Sequence, residues 1–148
     1  MINRGVRTTI STLWIVVMFN MIFADILGFV MPGVLEQIIN GETGFDITQE
    51  LLLVFAVLLE IPIAMIFLSR VLNRRATQWL NTIAALVTTI FIIGGGSLYL
   101  HYIFFASVEV ICMVAIVWHV WTWPEEEVTG TEQSVVSQSR PLTAIIHN

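Results

Sequence analysis

The stretch LLLVFAVLLEIPIAMIFLSRVL, residues 51–72, carries one acid, Glu60, before its only base, Arg70. A bilayer core about 30 Å thick is crossed by about 20 mainly apolar residues in a helix rising about 1.5 Å each. A membrane β-strand needs only about 9–11 residues in strict alternation, so this length and pattern mean helix. Asp46 with Gln49 three residues later reads as a capping box that opens it.

Three more stretches have the same character: 8–31, stopped by Pro32-Gly33; 76–93, stopped by Gly94-Gly95-Gly96; and 98–123, stopped by Pro124. The expected fold is all-α, a polytopic membrane four-helix bundle spanning 1–123, followed by a disordered cytoplasmic tail over 124–148 that is rich in Ser, Thr, Gln and Glu. Between the first two spans, Val34, Leu35, Ile38 and Ile39 share one face of a brief helix begun by Pro32 and ended by Gly41, an interfacial turn. The first span is read as a retained helix rather than a cleaved signal peptide: it is long, carries Asp25 and is followed by no A-x-A site.

Composition supports this reading. The 148 residues are 57% hydrophobic and 11% charged, against about 25% charged in soluble domains. Mean hydropathy is +0.87 and the sequence pI about 5.0. With no basic patch, a nucleic-acid partner is excluded; the lipid bilayer is the expected one. Cys112 is the only cysteine, which excludes a disulfide framework and a CxxC redox pair.

Orientation follows from arginine, since the chain has no lysine. Arg4 and Arg7 precede the first span, Arg70, Arg74 and Arg75 join the second to the third, and Arg140 is in the tail. The loops 33–50 and 94–97 have none, so both termini are expected in the cytoplasm of a bacterial cell (inner) membrane. Trp14, Trp79, Trp118, Trp121 and Trp123 fall at the expected cytoplasmic ends, and Tyr99 and Tyr102 at the opposite face.

Three acids lie within the spans: Asp25, Glu60 and Glu109. A carboxylate near the centre of a spanning helix costs about 2.5–3.5 kcal/mol on insertion scales and usually faces protein. Counting about 1.5 Å per residue puts Asp25 about 9 Å, Glu60 about 14 Å and Glu109 about 10–16 Å below the outer surface, with Thr88 and Thr89 about 6–8 Å down. Ala56 and Ala64 flank Glu60 at four residues, Ala106 precedes Glu109 by three and Gly28 follows Asp25 by three, which suits acids on close-packed, inward faces. Three negative charges in one low-dielectric layer repel, so either most carry a proton or a cation sits among them. Two readings stand: a proton or cation site made by Asp25, Glu60 and Glu109, or neutral acids bonded to Asn20, Thr88, Thr89 and backbone as interhelical glue. Pro62 removes the helix bond to the carbonyl of Leu58 and is expected to kink the second span beside Glu60.

No cofactor or metal is expected. His101 and His119 are 18 residues apart on one helix, about 27 Å by helical rise, too far to share a haem. Glu109 is followed at three residues by Cys112 rather than histidine, so the di-iron pattern is absent. Gly94-Gly95-Gly96-Ser97 follows no strand and brings no lysine, and reads as a tight turn. No nucleophile stands beside a base in the sequence, so the protein is read as no enzyme. The function classes left are a small proton- or cation-coupled transporter or channel-like module, and a non-catalytic structural or accessory membrane subunit. A homo-oligomer is expected in both cases, because four short helices enclose little space; substrate and protein partner stay open.

The strings LWIVVMFNMIFADILGFVMPG (13–33), LLEIPIAMIFLSRVL (58–72) and VEVICMVAIVWHVWTWP (108–124) resemble a bacterial domain-of-unknown-function family of small four-helix membrane proteins. The resemblance covers about residues 10–124 and includes Asp25, Glu60 and Glu109. It implies a fold and a membrane location and brings no activity with it. A reporter fused after Asn148 is expected to be active only in its cytoplasmic form; periplasmic activity would overturn both the span count and the orientation.

Overall fold

The computed structural model describes residues 2–42, 46–96 and 98–122. Ser97, Trp123 and the tail from 124 lie outside the described residues. The helices are α1 (Ile2–Val30), α2 (Val34–Asn40), α3 (Gln49–Val71), α4 (Arg74–Gly94) and α5 (Leu100–Trp121), with no strand among the described residues. Four of them are long and apolar enough to cross a membrane.

Helix ends are set locally. Thr48 caps α3, its hydroxyl accepting from Leu51 N at 3.2 Å. The expected capping box is therefore corrected: Asp46 lies two residues before the cap and Gln49 is the first helical residue. Asn73 caps α4 by accepting from Ala76 N at 3.0 Å, so α3 and α4 are joined by little more than that cap. Gly41 ends α2 with φ 72°, the left-handed conformation that glycine adopts without a Cβ clash. Around it, Gly41 N reaches the Ile38 carbonyl at 3.3 Å and Glu42 N reaches that of Gln37 at 2.8 Å, the paired bonds of a Schellman ending. No residue of α2 is buried, and Leu35 and Ile39 are exposed, as suits a helix lying on a membrane surface.

The four long helices form a ring. α1 packs on α3 and α5, α4 packs on the same two, and neither diagonal pair is in backbone contact. The end carrying the start of α1 and the finish of α5 is here the proximal end; the α1–α2–α3 and α4–α5 connections lie at the distal end. Each inner face is a narrow stripe: Ile10, Trp14, Val17, Met21 and Ala24 on α1; Thr77, Asn81, Ala84, Ala85, Thr88 and Ile92 on α4; Glu109, Cys112, Met113, Ile116 and Val120 on α5. Steps of three and four residues hold such a stripe on one side of a helix. The remaining faces expose Phe19, Phe23, Phe67 and Phe104, which is how a helix meets lipid.

In lipid, apolar surface gains little by turning inward, so close packing and interhelical hydrogen bonds hold helices together. The proximal half is rich in such bonds. Asn81, fully buried, accepts from Trp14 Nε1 at 2.7 Å and from Ser69 Oγ at 3.1 Å, and its own amide donates to the Thr77 carbonyl at 2.8 Å. One side chain thus ties α1, α3 and α4, bridging the ring diagonal from α1 to α4. Ser11 Oγ donates to the Ile66 carbonyl at 2.8 Å, Arg70 Nε donates to Ser11 Oγ at 2.9 Å, and Arg7 Nη1 donates to the Arg70 carbonyl at 2.7 Å. Gln78 Nε2 joins α4 to the Val120 carbonyl at 2.9 Å, and Trp121 Nε1 donates to Thr82 Oγ1 at 3.1 Å.

Trp14 corrects an expectation. It is not an interfacial aromatic but a fully buried one, because its position falls on the α1 stripe and Asn81 satisfies its indole N–H. Trp79, Trp118 and Trp121 are exposed toward the proximal end, Trp79 and Trp121 meeting edge to face at 5.9 Å.

Trp14→Phe removes the N–H together with part of the ring volume at a fully buried site, and is expected to cost about 1–2 kcal/mol in reversible unfolding from mixed micelles. Asn81→Leu orphans both Trp14 Nε1 and Ser69 Oγ and is expected to cost more than twice as much. Asn20→Leu is the control with almost no effect, since Asn20 bonds only to the Val16 carbonyl of its own helix.

Candidate functional site

The distal half is built differently. Below Pro62, α3 supplies buried Met65 and Ser69; above it, toward the distal end, α3 supplies no buried residue. The helix runs without a break through Pro62, which is itself buried. Above Pro62, α3 reaches the core only through half-buried Leu59 and Ile61, and a cleft of about 730 Å³ lies between Asp25 and Phe29 of α1, Leu51, Phe55 and Leu59 of α3, and Phe91 with Gly94 to Gly96 at the end of α4. Phe55 and Phe91 touch on its wall, their ring centroids 5.9 Å apart and the rings tilted by 57°.

A smaller chamber of about 90 Å³ adjoins the cleft, sharing Asp25, Phe91 and Gly95 with it. Its other walls are Met21, Ala24, Ile92, Tyr102 and Glu109. A space of this size has room for water, which needs about 10–15 Å³ by the same measure. Glu109 is 3% exposed and its Oε1 has no hydrogen-bond partner. A buried polar oxygen left unmatched costs about 1–3 kcal/mol, more when charged, so a proton, a water or a cation in the chamber is what would answer it. Thr88, one helical turn from Ile92, is equally buried with an unmatched Oγ1. Asp25 is exposed and stands where cleft and chamber meet.

Tyr102, in the first turn of α5 at the distal end, lines the chamber, its hydroxyl donating to the Ile92 carbonyl at 2.6 Å. Gly96 permits this approach: a Cβ there would stand 3.1 Å from the Ile93 carbonyl and 3.4 Å from the Tyr102 ring. No lysine, arginine or histidine is among the lining residues of chamber or cleft. Two carboxyls thus meet without a cationic side chain between them.

Of the expected acid layer, the structure brings together Asp25 and Glu109 and leaves Glu60 out. Glu60 is exposed and lines neither cavity. The reason is angular: at about 100° per residue it lies about 200° around α3 from Pro62, which begins the buried stripe. Its alanine neighbours Ala56 and Ala64 mark a real face of the helix, but Met65 and Ser69 define the one that packs. The supporting hydroxyls also divide. Thr89 Oγ1 donates to the Ala85 carbonyl at 2.7 Å and Asn20 Nδ2 to the Val16 carbonyl at 2.8 Å, each within its own helix, so neither bonds across helices. His101 stacks on Tyr99, while His119 meets the Ala115 carbonyl at 2.7 Å near the other end of α5. Among the described residues no group of three or more His, Cys, Asp or Glu side chains is placed to hold a metal.

Fold and site define an all-helical protein with four helices long and apolar enough to cross a membrane, and a two-carboxyl chamber beneath a distal cleft. Residues 3–130 match the family of unknown function DUF6326, and the chain belongs to that family. No curated protein and no solved structure matches it.

The unmatched Glu109 oxygen makes opposite predictions for function and for glue. Glu109→Met, similar in size and apolar, is expected to raise stability by about 1–3 kcal/mol in the same unfolding measurement, because it removes the unmatched group. A loss as large as that of Asn81→Leu would instead make Glu109 a structural bond.

Proposed function

We propose that the protein is a small proton- or cation-coupled transporter or channel-like module whose working site is the Asp25–Glu109 pair. The observation that carries this reading is Glu109 itself: a carboxyl almost wholly buried, with an unmatched oxygen, in a chamber that adjoins an open cleft through a second carboxyl. Two carboxylates across so small a space repel, and in a low-dielectric medium that repulsion is met by a proton or by a cation. The chamber holds neither lysine nor arginine to do it. A site of this kind exchanges one positive charge for another, which is the elementary step of coupled transport.

The rest of the proposal concerns setting. The arginines Arg4, Arg7, Arg70, Arg74 and Arg75 gather at the proximal end, which supports a cytoplasmic proximal end and a distal cleft open to the outside of a bacterial inner membrane. Self-association is supported by Glu60, whose exposed position on a spanning helix is costly against lipid and is relieved against a second copy. No catalysis is proposed: the described serine hydroxyls of Ser11, Ser69 and Ser107 donate to a carbonyl or an amide oxygen, and none to a histidine or carboxylate.

One observation favours the second reading, a structural or accessory subunit: the interhelical hydrogen bonds concentrate in the proximal half, where Asn81 and Ser11 fasten one helix to another. Flux decides between the two. In proteoliposomes carrying an internal pH dye, the wild type is expected to pass protons in response to an imposed gradient of pH or of an added cation. Glu109→Gln is expected to lower that flux at least tenfold, with Glu60→Gln unchanged. Wild-type vesicles indistinguishable from protein-free ones over a panel of inorganic and organic cations would replace this reading with the accessory one.

A further inference from the structure

Resting on the proton-or-cation reading of the Asp25–Glu109 pair, we infer that the distal cleft binds an amphipathic organic monocation, its apolar body against the wall made by Phe29, Phe55 and Phe91 and its charge beside Asp25. The size agrees, since about 730 Å³ falls within the range of about 300–1,000 Å³ that holds small organic ligands. The wall chemistry agrees as well. Three phenyl rings and two leucines give an apolar seat, and ring faces attract a cationic head that is weakly hydrated. Charge sets the sign: the carboxyl on the cleft is that of Asp25, and the chamber behind it adds that of Glu109, with the Tyr102 hydroxyl beside it held on the Ile92 carbonyl.

Other occupants fit less well. A bare metal cation asks for about six oxygen ligands, and the cleft offers one carboxyl and the backbone of Gly94 to Gly96 among phenyl and leucine side chains. An anion would meet two acids. A neutral apolar molecule would leave both carboxyls uncompensated. The buried, unmatched oxygen of Glu109 supplies what an apolar groove alone lacks, a polar group held ready in the adjoining chamber.

The exchange balances simply. The empty site carries one proton on one of its two carboxyls; the cation arrives beside Asp25, the proton leaves toward the distal opening, and the net charge of the site is unchanged. No bond to carbon forms or breaks. Binding is therefore expected to tighten as pH rises and to release close to one proton per cation.

Tetraphenylphosphonium serves as the probe. Full-length protein in nanodiscs of purely phosphatidylcholine lipid is titrated by calorimetry in two buffers of different ionisation enthalpy, which counts the protons released. Saturable binding is expected in the wild type. It weakens at least tenfold in Asp25→Asn, weakens several-fold in Phe91→Leu, and stays unchanged in Glu60→Gln. Thermal unfolding of each variant near the wild-type temperature confirms that the losses are local. Equal binding by wild type, Asp25→Asn and Phe91→Leu would place the probe elsewhere and overturn the inference. So would displacement of the probe by phosphatidylethanolamine at ordinary membrane content, which would make the occupant a resident aminolipid. Absent probe binding alongside a proton flux that Glu109→Gln abolishes would refute the organic cation and leave the proton site standing. Absent binding together with absent flux would remove both.

Discussion

The carboxamide of Asn81 is the point through which the helices are joined. It sits fully buried and receives the indole of Trp14 from across the ring and the hydroxyl of Ser69 from alongside. In lipid these contacts have no water to compete with, and an unmatched partner has no solvent to turn to. Ser11 repeats the device one turn closer to the proximal surface, donating to the Ile66 carbonyl and receiving Arg70. With the proximal half closed in this way, the distal half is free to stay open.

That division explains why the acids are where they are. On α5, Glu109 follows the same stripe as Cys112, Ile116 and Val120, so the packing that closes the proximal end carries a carboxyl into the interior. On α1, Asp25 stands next to Ala24, the last buried residue of its stripe, and so reaches the edge of the interior rather than its centre. The two meet across the chamber while α3 stands back from it above Pro62. A fully closed core could have held neither the chamber nor its unmatched oxygen at modest cost.

Much of this is legible in the order of the residues. The four spans, the short helix before Gly41 and the turn at the glycines follow from hydropathy and breakers, with ends displaced by a few residues where Thr48 and Asn73 act as caps. The interior acids are visible as charges inside apolar runs. The Asn81 junction also has a signal: Thr77, Asn81 and Thr88 stand at helical spacing on a span without charges, and in a membrane helix the polar stripe faces protein. The apolar cleft has none, because Phe29, Phe55 and Phe91 look in sequence like any lipid-facing phenylalanine.

By itself, then, the amino-acid sequence determined the helices, their number and the position of each acid along its helix, since those depend on local hydropathy and a fixed rise per residue. Only the tertiary structure decided which side of each helix turns inward. In a span that is apolar all round, hydropathy does not distinguish the face that meets lipid from the face that meets protein. The choice falls to small residues and to hydrogen bonds between helices far apart in the chain. That choice set Glu60 outside, brought Asp25 to Glu109, and buried Trp14 against Asn81.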